Sequence, residues 1–148
     1  MAEGGEHFRF ELPARLEYRD AVRGFLTYIC DQLTKRSMLT QESGHQLVSA
    51  FVEAFNNAVV HAYRGLEPGP VEVELHVGDD DFVMRISDYG RTFRLDDVRE
   101  PDLDSLPEGG LGLFIIRKFM DEVHYEAESG RNVLHMTKAL SVPNEDAS

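Results

Sequence analysis

Apolar and polar residues alternate over His7–Leu12, with Phe8, Phe10 and Leu12 on one face, which predicts a half-buried strand ended by Pro13. From Arg19 to about Lys35 the period changes. Val22, Phe25, Leu26, Ile29 and Leu33 recur at helical spacing. Thr40 is placed to cap a second helix reaching Tyr63, with Leu47, Phe51, Phe55, Ala58 and Ala62 on its apolar side. Gly65 and Pro68-Gly69-Pro70 stop it. Val71, Val73, Leu75 and Val77 then alternate with Glu72, Glu74 and His76. Gly78-Asp79-Asp80-Asp81 turns the chain into Phe82, Met84 and Ile86, so an antiparallel hairpin is expected. No period survives from Asp88 to Gly110, an acidic stretch holding Pro101 and Pro107; loops of that length are typically lids or disordered. Leu111 to Met120 reads as a third helix. Two strands follow, about Val123–Ala127 and Asn132–Lys138, turned at Glu128-Ser129-Gly130. Ser141 to Ser148 reads as a frayed tail.

The order β-α-α-β-β-loop-α-β-β segregates helices from hairpins. It predicts an α+β fold: a two-layer α/β sandwich with the helices on one face of a mixed, mainly antiparallel sheet. The 148 residues suit one domain, with a core from about residue 8 to 140.

Charge narrows the partners. Fifteen Lys and Arg stand against 27 Asp and Glu, a net charge of −12. Such a surface is repelled by phosphate backbones and anionic membranes, and favours a basic protein partner. The same charge also serves plain solubility. The single cysteine, Cys30, excludes a disulfide within the chain and a cysteine-rich zinc site; its apolar helical setting makes it a small hydrophobe. No apolar run approaches the roughly 20 residues of a membrane span, and the acidic start lacks a signal peptide's pattern, so a cytoplasmic protein is expected.

Three constellations could carry chemistry. In Glu53-Ala54-Phe55-Asn56-Asn57-Ala58-Val59-Val60-His61-Ala62-Tyr63, helical geometry puts Glu53, Asn57 and His61 on one face. A carboxylate one turn from a carboxamide offers a general base beside a hard oxygen ligand suited to Mg²⁺. A solvated polar face has the same spacing, but Asn56-Asn57 in mid-helix need a reason. His61 reads as a helix-end residue rather than a ligand. In Ser87-Asp88-Tyr89-Gly90, a carboxylate at a strand end is placed to accept from an exocyclic amine such as that of adenine; a simple turn is the alternative. In Pro107-Glu108-Gly109-Gly110-Leu111-Gly112-Leu113, glycines entering a helix expose amide N–H groups to a phosphate; a lid hinge is the alternative.

The order of these parts is more specific than any one of them. The chain resembles the ATP-binding domain shared by gyrase, Hsp90-type chaperones, histidine kinases and MutL (the Bergerat-type fold). Within that group it looks like the anti-sigma-factor serine/threonine kinases. Glu53 to Tyr63 resembles their N box, and Gly109 to Ile116 followed by Met120-Asp121 resembles their second glycine box. The resemblance implies roles. Glu53 would be the catalytic base and Asn57 the Mg²⁺ ligand. Asp88 would read adenine while Gly90 lets the base lie on the backbone. Gly110 and Gly112, with Leu111 between them, would belong to the phosphate loop, and about Arg91 to Glu108 would be the ATP lid. Two positions depart from the pattern: Thr92 stands where the first glycine box has its second Gly, and Glu108 where the second box has its first.

The implied function is an ATP- and Mg²⁺-dependent protein serine/threonine kinase that acts as an anti-sigma factor. It would phosphorylate a small anti-sigma-factor antagonist, sequester a sigma factor without binding nucleic acid itself, and act as a homodimer. A second reading, favoured by Thr92 and Glu108, is a partner-sequestering regulator that uses nucleotide only as a ligand or not at all. A third is a detached histidine kinase catalytic domain, for which His45 is the only helical histidine ahead of the N box.

Overall fold

A computed structural model describes residues 5–92 and 110–141. The elements are β1 (Glu6–Pro13), α1 (Glu17–Lys35), α2 (Gln41–Asn56) with a π-helical continuation (Asn57–Ala62), β2 (Pro70–Val77), β3 (Asp81–Asp88), α3 (Gly110–Phe119), β4 (Glu122–Glu128) and β5 (Arg131–Ala139). Most boundaries lie within a residue or two of the periodicity. The expected lid beyond Thr92, Gly109 of the glycine box, and the tail after Ser141 lie outside the described residues.

The five strands form one sheet in the order β1-β2-β3-β5-β4. Every neighbouring pair is antiparallel, so the mixed sheet expected from the element order is corrected to a purely antiparallel one. Connectivity supplies the reason. Two helices joined by the short Arg36–Thr40 turn run there and back, so β2 returns antiparallel to β1. After α3 the chain enters the sheet edge as β4, and the hairpin turns β5 inward against β3. Had β4 taken that inner place it would have lain parallel to β3. The hairpin needs φ near +54° at Ser129 and +80° at Gly130, which a two-residue turn of the primed type requires.

The helices cover one sheet face. Leu26 of α1, Leu47, Phe51 and Phe55 of α2, Ile116 of α3, and Val73, Leu75, Phe82, Met84 and Met136 of the sheet are all fully buried together. Burying each such side chain contributes roughly 1.5–3 kcal/mol. At the β1 edge, Phe8 and Phe10 meet Phe25 edge-on at 5.0 and 5.3 Å between ring centres. Thr40 caps α2 as expected, its hydroxyl accepting from Ser43 N–H at 3.0 Å. Cys30 is buried, and burial pushes its thiol up to about 12, so it behaves as a small hydrophobe.

The there-and-back path has a functional result. The C-terminal end of α2, the C-terminal end of β3 and the N-terminal end of α3 all meet at one end of the sandwich. These are the places of the three constellations.

Candidate nucleotide site

The α2 helix does not continue as α to Tyr63. It widens into a π-helix at Asn57, a correction to the sequence expectation. Wide turns of this kind are frequent at functional sites. Here the wider turn begins at the carboxamide of interest. Glu53, Asn57 and His61 all line one open cleft of about 300 Å³, together with Leu16, Arg19, Asn56, Val60, Gly112 and Ile115. Glu53 is half-buried and makes no hydrogen bond to any described residue. Asn57 holds its Nδ2 buried with no partner. Its neighbour Asn56 serves the scaffold instead. The Asn56 Oδ1 accepts from Arg19 Nη1 at 2.7 Å, tying α1 to α2. The tandem asparagines therefore have two different reasons.

Gly112 in the first turns of α3 closes the cleft. A Cβ there would lie 2.9 Å from Glu53 Oε2 and 3.6 Å from Asn57 Oδ1, so the backbone of α3 rests directly on both polar heads. Gly110 and Leu111 begin α3, and for these two the structure describes the helical backbone alone. A helix N-terminus at this point brings free N–H groups and the positive end of the macrodipole beside Glu53 and Asn57.

Asp88 ends β3 on the apolar phase of the strand, following Phe82, Met84 and Ile86, and is buried. Its Oδ1 accepts from Asn132 Nδ2 at 2.8 Å and from Gly90 N–H at 3.0 Å. Burial pushes the carboxyl above its ordinary value, and the Asn132 and Gly90 bonds pull it part of the way back. No other described group bonds Asp88, which leaves Oδ2 with an unused acceptor. Gly90 is dictated by contact: a Cβ there would collide with the carbonyl of Ala62, while Arg91 N–H donates to that same carbonyl at 2.6 Å. Tyr63 locks the junction, its hydroxyl donating to Pro70 O at 2.7 Å and accepting from Tyr89 N–H at 2.8 Å.

A model of the histidine kinase-like ATPase domain matches residues 12–138. Among curated relatives, a serine-protein kinase RsbW from Listeria innocua is 33% identical over 149 residues, spanning 95% of this chain and 92% of that one. One from Bacillus licheniformis is 32% identical over 149 residues, with 95% and 90% covered. The chain belongs to the histidine kinase-like ATPase family, in its branch of RsbW serine-protein kinases. A crystal structure of RsbU and RsbW domains from Mycobacterium tuberculosis shares the fold, with TM-score 0.65 and 19% identity over 93% of this chain; this chain spans 33% of that longer one. Membership brings an ATPase domain, and the three gathered constellations are the candidate place for its nucleotide.

The residues fit the groups that the family implies. A carboxamide with an unsatisfied buried nitrogen beside an unpaired carboxylate suits a hydrated divalent cation and phosphate oxygens. At Gly112 a Cβ would press on the Glu53 carboxylate and move it, so glycine leaves that head where it stands. Sequence reasoning missed Arg19 and Asn132. Arg19 carries no local signal, since only the fold brings α1 to α2. Asn132 did carry one: it interrupts the apolar phase of Leu134 and Met136, as Asp88 does on the paired strand.

Proposed function

We propose that this protein is an ATP-dependent serine kinase in which Glu53 is the general base and Asp88 reads adenine. Glu53 would take the proton of the acceptor hydroxyl as that oxygen attacks the γ-phosphorus, whose bond to the bridging oxygen breaks to release ADP. Phosphoryl transfer asks little more of the protein than positioning and charge neutralisation. Mg²⁺ held through Asn57 would supply that neutralisation when bound. Asp88 Oδ2 would accept from the exocyclic amine, with Gly90 leaving room for the ring. The α3 N-terminus, with Gly110, Leu111 and Gly112, would hold phosphate oxygens.

The observation that carries this reading is Glu53 itself: a half-buried carboxylate in a cleft, with no described hydrogen-bond partner and the α3 backbone against it. The acceptor would be a serine or threonine of an anti-sigma-factor antagonist. The other partner would be a sigma factor, whose basic surface complements a net charge of −12. A cytoplasmic homodimer completes the reading; among the described residues no helix is long and apolar enough to cross a membrane. The test is γ-labelled ATP with Mg²⁺ and antagonist proteins captured from the native cell. Label transferred to serine or threonine supports the kinase. Nucleotide binding without any transfer would favour the sequestering regulator instead.

A further inference from the structure

The most completely bonded polar group at this end of the sandwich is one the proposed chemistry does not use. Asn132 is 1% exposed and sits directly across the strand pair from Asp88. Its Nδ2 donates to Asp88 Oδ1 at 2.8 Å and to Gly90 O at 3.0 Å, with Arg91 O a longer contact at 3.4 Å. Its Oδ1 accepts from the hydroxyl of Thr92 at 2.7 Å. Both N–H donors of the amide are spent on protein, and its oxygen is buried against Thr92. Its effect on a ligand therefore passes through Asp88.

We infer that Thr92 and Asn132 form a coupled positioning pair that sets the adenine specificity of Asp88. An amide has two ends of opposite character. Three acceptors surround the nitrogen end of Asn132, and the hydroxyl of Thr92 supplies the donor that its oxygen end needs. Without that donor, a buried carbonyl oxygen is left unsatisfied and the preference for this orientation weakens. A reversed amide would set its oxygen against the Asp88 carboxylate and withdraw the donor from Gly90 O. Thr92 therefore fixes Asn132. Asn132 in turn fixes the rotation of Asp88, leaving Oδ2 as the free acceptor, and clamps the Gly90-Arg91 backbone beside it. Thr92, which stands where the first glycine box has its second Gly, is here a working part of the nucleotide site.

The inference rests on the proposed adenine-reading role of Asp88, so the test separates the two. Full-length protein is titrated with ATP and with purine riboside 5′-triphosphate, which lacks the exocyclic amine, both with Mg²⁺. The ratio of their affinities reports the amine contact alone. Thr92→Val keeps the shape and removes the hydroxyl, and Thr92→Ser keeps the hydroxyl. Asn132→Asp keeps the outline and removes the donor. The expected result is a fall in the ATP preference of about tenfold for Thr92→Val and for Asn132→Asp, the scale of one charge-assisted hydrogen bond. The purine compound should bind nearly as to wild type, Thr92→Ser should restore the preference, and the double variant should lose no more than either single one. Thr92 is exposed at the end of the described segment, so Thr92→Val carries the test even if Asn132→Asp does not fold. Asp88→Asn is the reference. If it abolishes the preference while Thr92→Val leaves it intact, or weakens both nucleotides equally, the positioning pair is overturned and the role of Asp88 stands. If Asp88→Asn leaves the preference unchanged, the adenine-reading role falls, and the pair with it.

Discussion

Glu72 and Glu53 are both carboxylates on regular elements, and their surroundings are opposite. Glu72 lies on the sheet face away from the helices, with its side chain only 7% exposed. Arg9 Nη2 and the Tyr89 hydroxyl each donate to it at 2.8 Å, and Arg131 Nε stands 3.5 Å away. Burial pushes this carboxyl up, but the bonds from Tyr89 and Arg9 together with the charges of Arg131 and Arg9 outweigh it and hold the group below its ordinary range. Glu53 has neither bonds nor a charged partner among the described residues. One carboxylate is consumed by the fold. The other is held in a cleft and left for a ligand. Acidic residues are abundant in this chain, so partners, rather than burial, distinguish the site from the scaffold.

The largest effect should come from the less-bonded residue. Glu53→Gln keeps the shape and removes the proton acceptor. Transfer to the antagonist should fall by about 10²–10⁴-fold. Nucleotide affinity and Tm should stay near wild type, because no described bond is lost. Single-turnover transfer, calorimetry and a melting scan read these three quantities. An unchanged transfer rate would return the α2 face to a plain solvated helix side.

Next comes the reverse case. Glu72→Gln leaves two guanidinium groups facing a neutral amide at a buried side-chain position. Loss of a buried, charge-assisted set of this kind costs about 1–3 kcal/mol. Denaturant unfolding should show that loss while kcat at saturating ATP is unchanged. Acid should erase the difference. A carboxyl held below its ordinary range stabilises the fold above its unfolded value, 4.5 for glutamate, and loses that contribution as pH falls through its lower folded value. A gap between variant and wild type that persists undiminished well below that range would mean the charge of Glu72 is not what the network uses.

These two residues also mark what the sequence made legible. Alternation and helical spacing place all five strands and three helices because each element hides one face. That Glu53, Asn57, Asp88, Gly90 and Gly112 would gather at one end of the sandwich was legible through their order along the chain. What could not be read locally was pairing across the fold. Glu72 looked like an ordinary outward residue of a hairpin, and only strands β1 and β5, brought in from far along the chain, supply Arg9 and Arg131. The π-turn at Asn57 was likewise hidden, because apolar spacing reports which face is buried and not how wide each turn is. The mixed sheet was misread because element order does not say whether β4 or β5 takes the inner place.

A third carboxylate lies between the two, and it should respond to pH with the opposite sign. Asp88 is raised above its ordinary 3.8, chiefly by burial. Its ionisation therefore opposes folding, and that cost appears as pH climbs from the ordinary value through the raised one. Asp88→Asn should match wild type in acid and exceed it at neutral pH, the direction of the stability that functional sites give up. The same variant should bind ATP more weakly. Unfolding at two pH values and an ATP titration check both. A variant that loses stability at neutral pH would move Asp88 to the scaffold, beside Glu72.

The smallest effect should come from the exposed end of the Glu72 network. The Arg9 side chain is 60% exposed, although it makes one of the two short bonds. Its charge is largely hydrated in the folded and the unfolded chain alike, so its bond returns little beyond what water already gives. Tyr89 and Arg131 would still serve Glu72 after Arg9→Ala. The variant should therefore melt only slightly below wild type, well inside the loss for Glu72→Gln. That remainder should vanish in about 1 M salt, where the screening length falls to about 3 Å. The Glu72→Gln loss should survive the same salt better, because the carboxylate itself is only 7% exposed. Equal losses for the two variants, or equal sensitivity to salt, would show the network to be an ordinary surface ion pair. The contrast with Glu53 would then rest on the cleft alone.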